Sequence, residues 1–196
     1  MKKIKIISLL FITIALSSTF SKSVNATNGE GKLATIHTSI GNIKIKLYDE
    51  KAPETTKNFT AYAEEGKFNG TIFHRVIANF MIQGGGHLPD LSEISTNAPV
   101  INESSNNISN KKGTIAMART SDPHSATSQF FINLKDNDFL DKKNAPDGYG
   151  YCVFGEVIDG IDIVEKIGMS DTGNKGYFSD VPLETILIEK VVISDE

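Results

Sequence analysis

Only one cysteine, Cys152, is present among the 196 residues, so the chain has no second thiol with which to form an internal disulfide. Its stability must therefore come from a packed core. Basic residues are also scarce, because 20 Lys and Arg stand against 24 Asp and Glu. This excess of negative charge argues against nucleic acid or an anionic lipid surface as the main partner.

A long apolar run is missing as well. The apolar stretch at residues 6–16 is shorter than the roughly 20 residues that a membrane-spanning helix needs, which disfavours a membrane anchor. Three lysines precede this stretch and Val24-Asn25-Ala26 follows it, as is typical of a secretory signal peptide cleaved after Ala26. We expect residues 1–26 to be removed, leaving 27–196 as one exported domain with a formal charge of −8 and no membrane segment.

The remaining sequence predicts mainly short β-strands. Residues 53–65 have helical spacing behind Pro53, and 160–167 form a second helix that Asp159 can cap. Long stretches at 85–112 and 168–181 lack periodicity and are predicted to be loops. Strand patterns occur at 33–38, 43–47, 71–77, 113–118, 129–134, 151–158 and 185–194, and one further strand follows within 73–86. Eight short strands of this kind favour an antiparallel barrel or a sandwich.

The stretch at 73–86, FHRVIANFMIQGGG, combines one charged residue with several large apolar ones. Alternation at period two places Met81 and Gln83 on one face of a strand. Two interpretations remain open from this stretch alone. It is either a β-hairpin with an ordinary solvated Arg75, or an apolar pocket with a guanidinium at its edge.

Four motifs carry a resemblance to a known family. FHRVIANFMIQGGG, GTIAMART, SATSQFFINLKDNDFLD and GYCVFGEVIDGIDIVEKI resemble the cyclophilin-type peptidyl-prolyl isomerases, in that family's order and spacing, over residues 33–193. The resemblance implies a closed eight-stranded antiparallel β-barrel capped by two α-helices, with the substrate groove on its outer surface. It also implies isomerisation of Xaa-Pro bonds in exported proteins, and the wording of the motifs is most similar to periplasmic members.

The family pattern transfers residue by residue. It assigns the catalytic role to Arg75 and the substrate groove to Phe80, Met81, Gln83, Ala118, Arg119, Gln129, Phe131, Phe139, Leu140 and Tyr151. Three positions depart from the eukaryotic members, where Phe139 is a tryptophan, Tyr151 a histidine and Arg119 an asparagine. Because that tryptophan donates a hydrogen bond to cyclosporin, we expect only weak binding of the drug.

The chemistry needs neither a nucleophile nor a cofactor, because rotation about an amide breaks no bond. The resemblance implies proline-containing peptides and unfolded proteins as partners, and a monomer that uses no metal or cofactor. A proline-peptide-binding chaperone with incidental isomerase activity is the alternative. A hydrolase is disfavoured, because the serines near His124 lie in no GxSxG pattern.

Four other residues, three histidines and one cysteine, have weaker functional interpretations. His74 follows Phe73 and precedes Arg75, so alternation predicts a hydrogen-bonded histidine that points into the barrel. His87 and His124 lie near acidic residues in loops, which is weak support for a metal site. Cys152 is expected to be a buried, unreactive thiol.

Overall fold

The computed structural model describes residues 31–195, so the predicted signal peptide at 1–26 lies outside the described residues. Two helices and ten strands make up the described chain. In order they are β1 Lys32–Thr38, β2 Gly41–Leu47, α1 Pro53–Glu64, β3 Thr71–Ile77, β4 Met81–Gly84, β5 Thr114–Met117, β6 Phe130–Asn133, β7 Val153–Asp159, α2 Ile161–Gly168, β8 Thr172–Lys175, β9 Phe178–Pro182 and β10 Leu187–Asp195. Two single 3₁₀ turns, at Ser104–Asn106 and Asp138–Leu140, complete the set.

Eight of the strands close into an antiparallel barrel in the order β1-β10-β3-β4-β6-β5-β7-β2. The alternation that predicted β2 is visible in its burial, since Ile43, Ile45 and Leu47 are buried while the lysines between them are more accessible. The inward residues of all the strands fill the barrel with one apolar core. The predicted eight-stranded barrel with two helices is therefore confirmed, and the sandwich is excluded.

Helix α1 closes the barrel through its apolar face. Pro53 occupies its first turn, and Gly66 (φ 67°) follows its last turn in the left-handed region, as the sequence predicted. The ring of Phe59 contacts Phe154 at 5.2 Å and Phe130 at 5.6 Å between centroids. Burial of such a side chain stabilises the fold by about 1.5–3 kcal/mol.

The start of α2 differs from the prediction. Asp159 is the last residue of β7 rather than the cap, and its Oδ1 accepts a hydrogen bond from the Gly160 N–H at 2.9 Å. Gly160 takes the capping position with φ 80° and no side-chain cap. A Cβ at this position would collide with the Asn42 carbonyl. The backbone of Gly160 packs directly on that of β2, and only glycine leaves room for this contact at the start of α2.

A β-hairpin occupies much of the stretch that was predicted as a loop at 168–181. Strands β8 and β9 pair as a separate two-stranded sheet outside the barrel. The prediction missed them because β8, with the sequence TGNK, is accessible on both faces and shows no alternation. The hairpin packs beside β3 through β9, and the ring of Phe178 lies 5.1 Å from that of His87.

The predicted loop at 85–112 is largely irregular but is fixed at several points. Glu103 accepts hydrogen bonds from the backbone and hydroxyl of Thr55 at 2.8 and 2.7 Å, and so caps the start of α1 from a distance. The Asn106 amide donates to the Val153 carbonyl at 2.8 Å. Within residues 31–195, no helix combines the length and the apolar character that crossing a membrane would require.

Candidate active site

One row of side chains runs across four neighbouring strands of the barrel wall. The pairing places Arg75 opposite Gln83, Gln83 opposite Phe131, and Phe131 opposite Ala116. Met81 lies two residues before Gln83 and therefore shares its face. The two interpretations of 73–86 are thus resolved by tertiary structure, because strands distant in sequence supply an apolar surface beside Arg75.

The polar end of this row is a short relay of side chains. Nη1 of Arg75 donates to Oε1 of Gln83 at 3.5 Å, and Nε2 of Gln83 donates to Oε1 of Gln129 at 2.8 Å. A guanidinium only donates, so the Gln83 oxygen must face it and the Gln83 amide nitrogen is left for Gln129. Gly86 leaves the space that this arrangement needs, because a Cβ there would lie 2.7 Å from Cδ of Gln129.

The apolar end is a cluster separate from the barrel core. Met81, Phe131 and Leu140 are 2, 5 and 8% exposed and lie with Ala116 and Val153. Around them lie partly buried side chains that include Phe80, Ala118 and Tyr151. A proline ring needs such an apolar surface, and a charged donor lies in the same row of residues.

Phe80 is fixed by its backbone rather than by its ring. Its carbonyl accepts hydrogen bonds from the backbone of Leu134 and the side chain of Asn137, both at 2.9 Å. The preceding Asn79 adopts φ 57°, which asparagine tolerates. The ring then stacks on that of Phe139, with centroids 5.7 Å apart, while Phe139 stays 52% exposed at the rim.

Arg119 is held by contacts within the protein. Its side chain is only 3% exposed, donates from Nε to the Gly150 carbonyl at 3.1 Å and pairs with Asp147. The guanidinium also covers the ring of Tyr151 at 4.5 Å, and this ring meets Phe131 edge-on at 5.7 Å. β5 ends at Met117, and its pairing with β6 continues for one residue because the Ala118 N–H donates to the Gln129 carbonyl at 2.9 Å.

The ion pair of Arg119 with Asp147 has an electrostatic signature. The guanidinium, together with the N–H groups of Gly150 and Tyr149, lowers the pKa of the Asp147 carboxyl to about 2. Hydrogen bonds to the charged form are the cause, since the carboxylate itself lies near the surface. The Asp147 carboxyl therefore stays ionised over the whole neutral pH range, paired with the guanidinium that covers the Tyr151 ring.

The structure brings ten of the eleven predicted side chains to one outer face of the barrel, while that of Arg119 pairs with Asp147 and covers the Tyr151 ring. Sequence reasoning missed Ala116 and Val153 in the pocket floor, although Ala116 precedes Ala118 by two residues in GTIAMART and so shares its face. It also missed Asp180, whose Oδ2 lies 3.8 Å from Nε of Arg75. No sequence signal pointed to Asp180, because it lies in the unpredicted hairpin.

His74 is buried as predicted, but its orientation is different. A β-bulge between Phe73 and Arg75 interrupts the alternation, and the His74 ring lies 4.3 Å from that of His87, beside the β8–β9 hairpin. Nδ1 of His74 has no hydrogen-bond partner within the described chain, although a backbone hydrogen bond with Ile72 acts on the same ring. Burial, with the nearby His87 and Arg75, lowers the pKa of His74 to about 4.

The other polar candidates have structural partners. His124 accepts a hydrogen bond from the Asn102 N–H at 3.1 Å. No group of three or more potential metal ligands occurs among residues 31–195. Cys152 is 3% exposed, and burial raises the pKa of its thiol to about 11, as expected for an unreactive cysteine.

A closed eight-stranded barrel with two helices, carrying an arginine beside an apolar cluster on its outer face, defines the cyclophilin class of folds. Residues 33–193 match the family model described as cyclophilin type peptidyl-prolyl cis-trans isomerase. The chain belongs to this family, and the predicted isomerase activity is confirmed.

Individual relatives agree with this assignment. The chain is 54% identical to peptidyl-prolyl cis-trans isomerase B of Escherichia coli, over 83% of this chain and all of that protein. It is 47% identical to isomerase A of Dickeya dadantii, over 93% of this chain and 94% of that one. Among solved structures, a Cryptosporidium parvum cyclophilin type isomerase superposes with a TM-score of 0.69 at 26% identity, covering 85% of this chain and 99% of that one.

Proposed function

We propose that Arg75 catalyses the rotation of Xaa-Pro bonds held against the cluster of Met81, Phe131 and Leu140. The carrying observation is the row Arg75–Gln83–Phe131, which places a cation and an apolar surface on one face. The apolar cluster packs against the proline ring of the substrate. The backbone at 118–119 holds the substrate chain, since the Arg119 side chain is already engaged with Asp147 and the Gly150 carbonyl.

The proposed catalytic effect acts on the twisted amide. Amide rotation crosses a barrier of roughly 18–20 kcal/mol because the planar form is stabilised by resonance. In the twisted state the proline nitrogen regains a lone pair, and a donor aimed at it stabilises that state more than the planar one. Arg75 suits this task because its guanidinium is always charged and presents several donors in a rigid plane.

The substrate and the cellular setting follow from the same proposal. A structure of the Cryptosporidium parvum relative was determined in the presence of the dipeptide Ala-Pro, which supports proline-containing peptides as ligands here. With the predicted signal peptide at 1–26, these assignments describe a periplasmic monomer that assists the folding of exported proteins and binds cyclosporin weakly. Fractionation of cells that express the full chain tests the location, and retention of residues 1–26 in the mature protein would contradict the cleavage.

The test of the mechanism is Arg75→Ala, with Lys57→Ala on the exposed face of α1 as the matched control. We expect Arg75→Ala to lower kcat/KM for a short Xaa-Pro peptide by about 100-fold or more, equivalent to roughly 2.7 kcal/mol of transition-state stabilisation. NMR exchange measures the rate, and titration measures binding, which should weaken less. An unchanged rate would exclude Arg75 as the catalyst.

The same variant separates isomerase from chaperone function. If Arg75→Ala abolishes isomerisation but still suppresses aggregation of an unfolded protein, the peptide-binding role predominates. If both are lost together, isomerisation is the function on which folding assistance depends. Phe131→Ala should impair both, because it removes the floor of the proposed proline site.

A further inference from the structure

The Arg75 guanidinium has a neighbour from outside the barrel. Oδ2 of Asp180, on β9, lies 3.8 Å from Nε of Arg75, while Nη1 of Arg75 donates to Gln83 on the other side. Two of the three guanidinium nitrogens therefore face protein acceptors. Nη2 has no partner among the residues that the structure describes, and it is the nitrogen left to meet a substrate.

Docking of the β8–β9 hairpin carries Asp180 to this position. Phe178 packs edge-on against His87 at 5.1 Å, and His87 lies against His74, the residue before Arg75. The Ser179 hydroxyl donates to the same Oδ2 of Asp180 at 3.4 Å. The carboxylate is thus placed beside Arg75 by contacts that lie outside the proline cluster.

An arginine side chain is flexible, and its catalytic value depends on orientation. Catalytic groups gain their effect from being held in the productive geometry before the reaction. Arg75 is 41% exposed, so solvent alone would leave it several rotamers. A carboxylate at Nε and an amide oxygen at Nη1 restrict the guanidinium plane without neutralising its charge.

We propose that Asp180 is a positioning residue that keeps Nη2 of Arg75 directed at the proline nitrogen. The proposal rests on the catalytic role of Arg75 proposed above. Both contacts are long in the free protein, and contacts in a catalytic site commonly tighten in the substrate complex. The hairpin, which the barrel fold does not need for closure, thereby becomes part of the active site.

A simpler explanation of Asp180 is conformational. Its φ of 59° lies in the left-handed region, which asparagine, aspartate and glycine tolerate better than other residues. Alanine would therefore add strain, so the informative variants are Asp180→Gly, which keeps the backbone and removes the side chain, and Asp180→Asn, which keeps an acceptor oxygen and removes the charge. Glu184→Gln is the control, because Glu184 is an exposed acid nearby.

We expect Asp180→Gly to lower kcat two- to fivefold with peptide affinity unchanged, since exposed ion pairs contribute modestly. Asp180→Asn should retain more of the rate, and the difference between Asp180→Asn and the unmodified protein should shrink at high salt. The NMR signal of Nε–H in Arg75 should shift in both Asp180 variants and stay in place in Glu184→Gln. An unchanged kcat and an unmoved signal would overturn the proposal.

Combination with Arg75→Ala separates this inference from the proposed function. If Asp180 acts through Arg75, Asp180→Gly causes no further loss in the Arg75→Ala protein. An equal loss in both backgrounds would show a purely structural role and overturn the inference. If Arg75→Ala abolishes activity and Asp180→Gly does not reduce kcat, only the Asp180 inference fails, whereas an active Arg75→Ala protein refutes the catalytic role itself.

Discussion

Gly86→Ala tests the side-chain relay beside Arg75 without altering any residue proposed to touch substrate. The new methyl group would lie 2.7 Å from Cδ and 2.8 Å from Nε2 of Gln129, which is closer than real Cβ contacts come. Gln129 is a flexible side chain and can move aside. Its movement breaks the 2.8 Å hydrogen bond from Gln83, and Gln83 then no longer holds a defined position opposite Arg75.

The magnitude follows from the bond that is lost. A neutral hydrogen bond contributes about 0.5–1.5 kcal/mol, which corresponds to roughly a two- to twelvefold change in rate if the whole effect reaches the transition state. We expect Gly86→Ala to lower kcat/KM within this range, measured by NMR exchange on an Xaa-Pro peptide. The melting temperature should change little, because the clash is relieved by one side chain.

Two controls sharpen this prediction. In a Gln129→Ala background Gly86→Ala should have no further effect on the rate, because the displaced side chain is already absent. Gly84→Ala should instead lower the melting temperature, since a Cβ there would meet the Ile72 carbonyl and the Phe73 ring at 3.0 Å. A Gly86→Ala enzyme with an unaltered rate would refute the importance of the relay.

Two further predictions concern pH. The depressed pKa of Asp147 contributes stability that is fully present above the unfolded value of about 3.9 and is lost as the pH falls towards 2. Asp147→Asn should remove this pH dependence and cost at most about 1 kcal/mol of unfolding free energy, because the carboxylate is 42% exposed. Thermal unfolding of both proteins across that pH range measures the effect. Parallel stability curves for the two proteins would contradict the prediction. The lowered pKa of His74 also makes stability fall as the pH falls, but between pH 6.5 and 4. In this range the unfolded chain binds a proton at His74 near pH 6.5, whereas the folded chain binds it only near pH 4. His74→Gln should therefore flatten the loss of stability between pH 6.5 and 4, and an equally steep loss would show that other groups cause it.

Strands such as β2 were predictable because they are half-buried. In β2 the alternation of isoleucine with lysine marks an inner and an outer face, and Pro53 and Gly66 mark the limits of α1. The β8–β9 hairpin was not predictable in this way, since β8 is accessible on both faces and therefore shows no alternation of apolar and polar residues. Only the tertiary structure reveals this hairpin and the position of Asp180 on it.

Local alternation also failed at His74, where the β-bulge places the next residues out of step. The site itself was only partly accessible to sequence reasoning. Residues 73–86 supply Arg75 and Met81, but nothing local says that Phe131 will be their neighbour. The contact between these segments depends on the order of the strands in the barrel. The family resemblance predicted it, whereas the periodicity of the sequence does not.

Closure of the barrel affects how the enzyme can interact with unfolded polypeptide chains. Every barrel strand has a neighbouring strand on both sides, so the wall has no open edge strand beside which a foreign extended chain could add as a further strand. The described sheet edges that remain belong to β8 and β9, which are only four and five residues long. The closed wall is therefore a poor template for the edge-to-edge strand pairing by which unfolded chains co-aggregate.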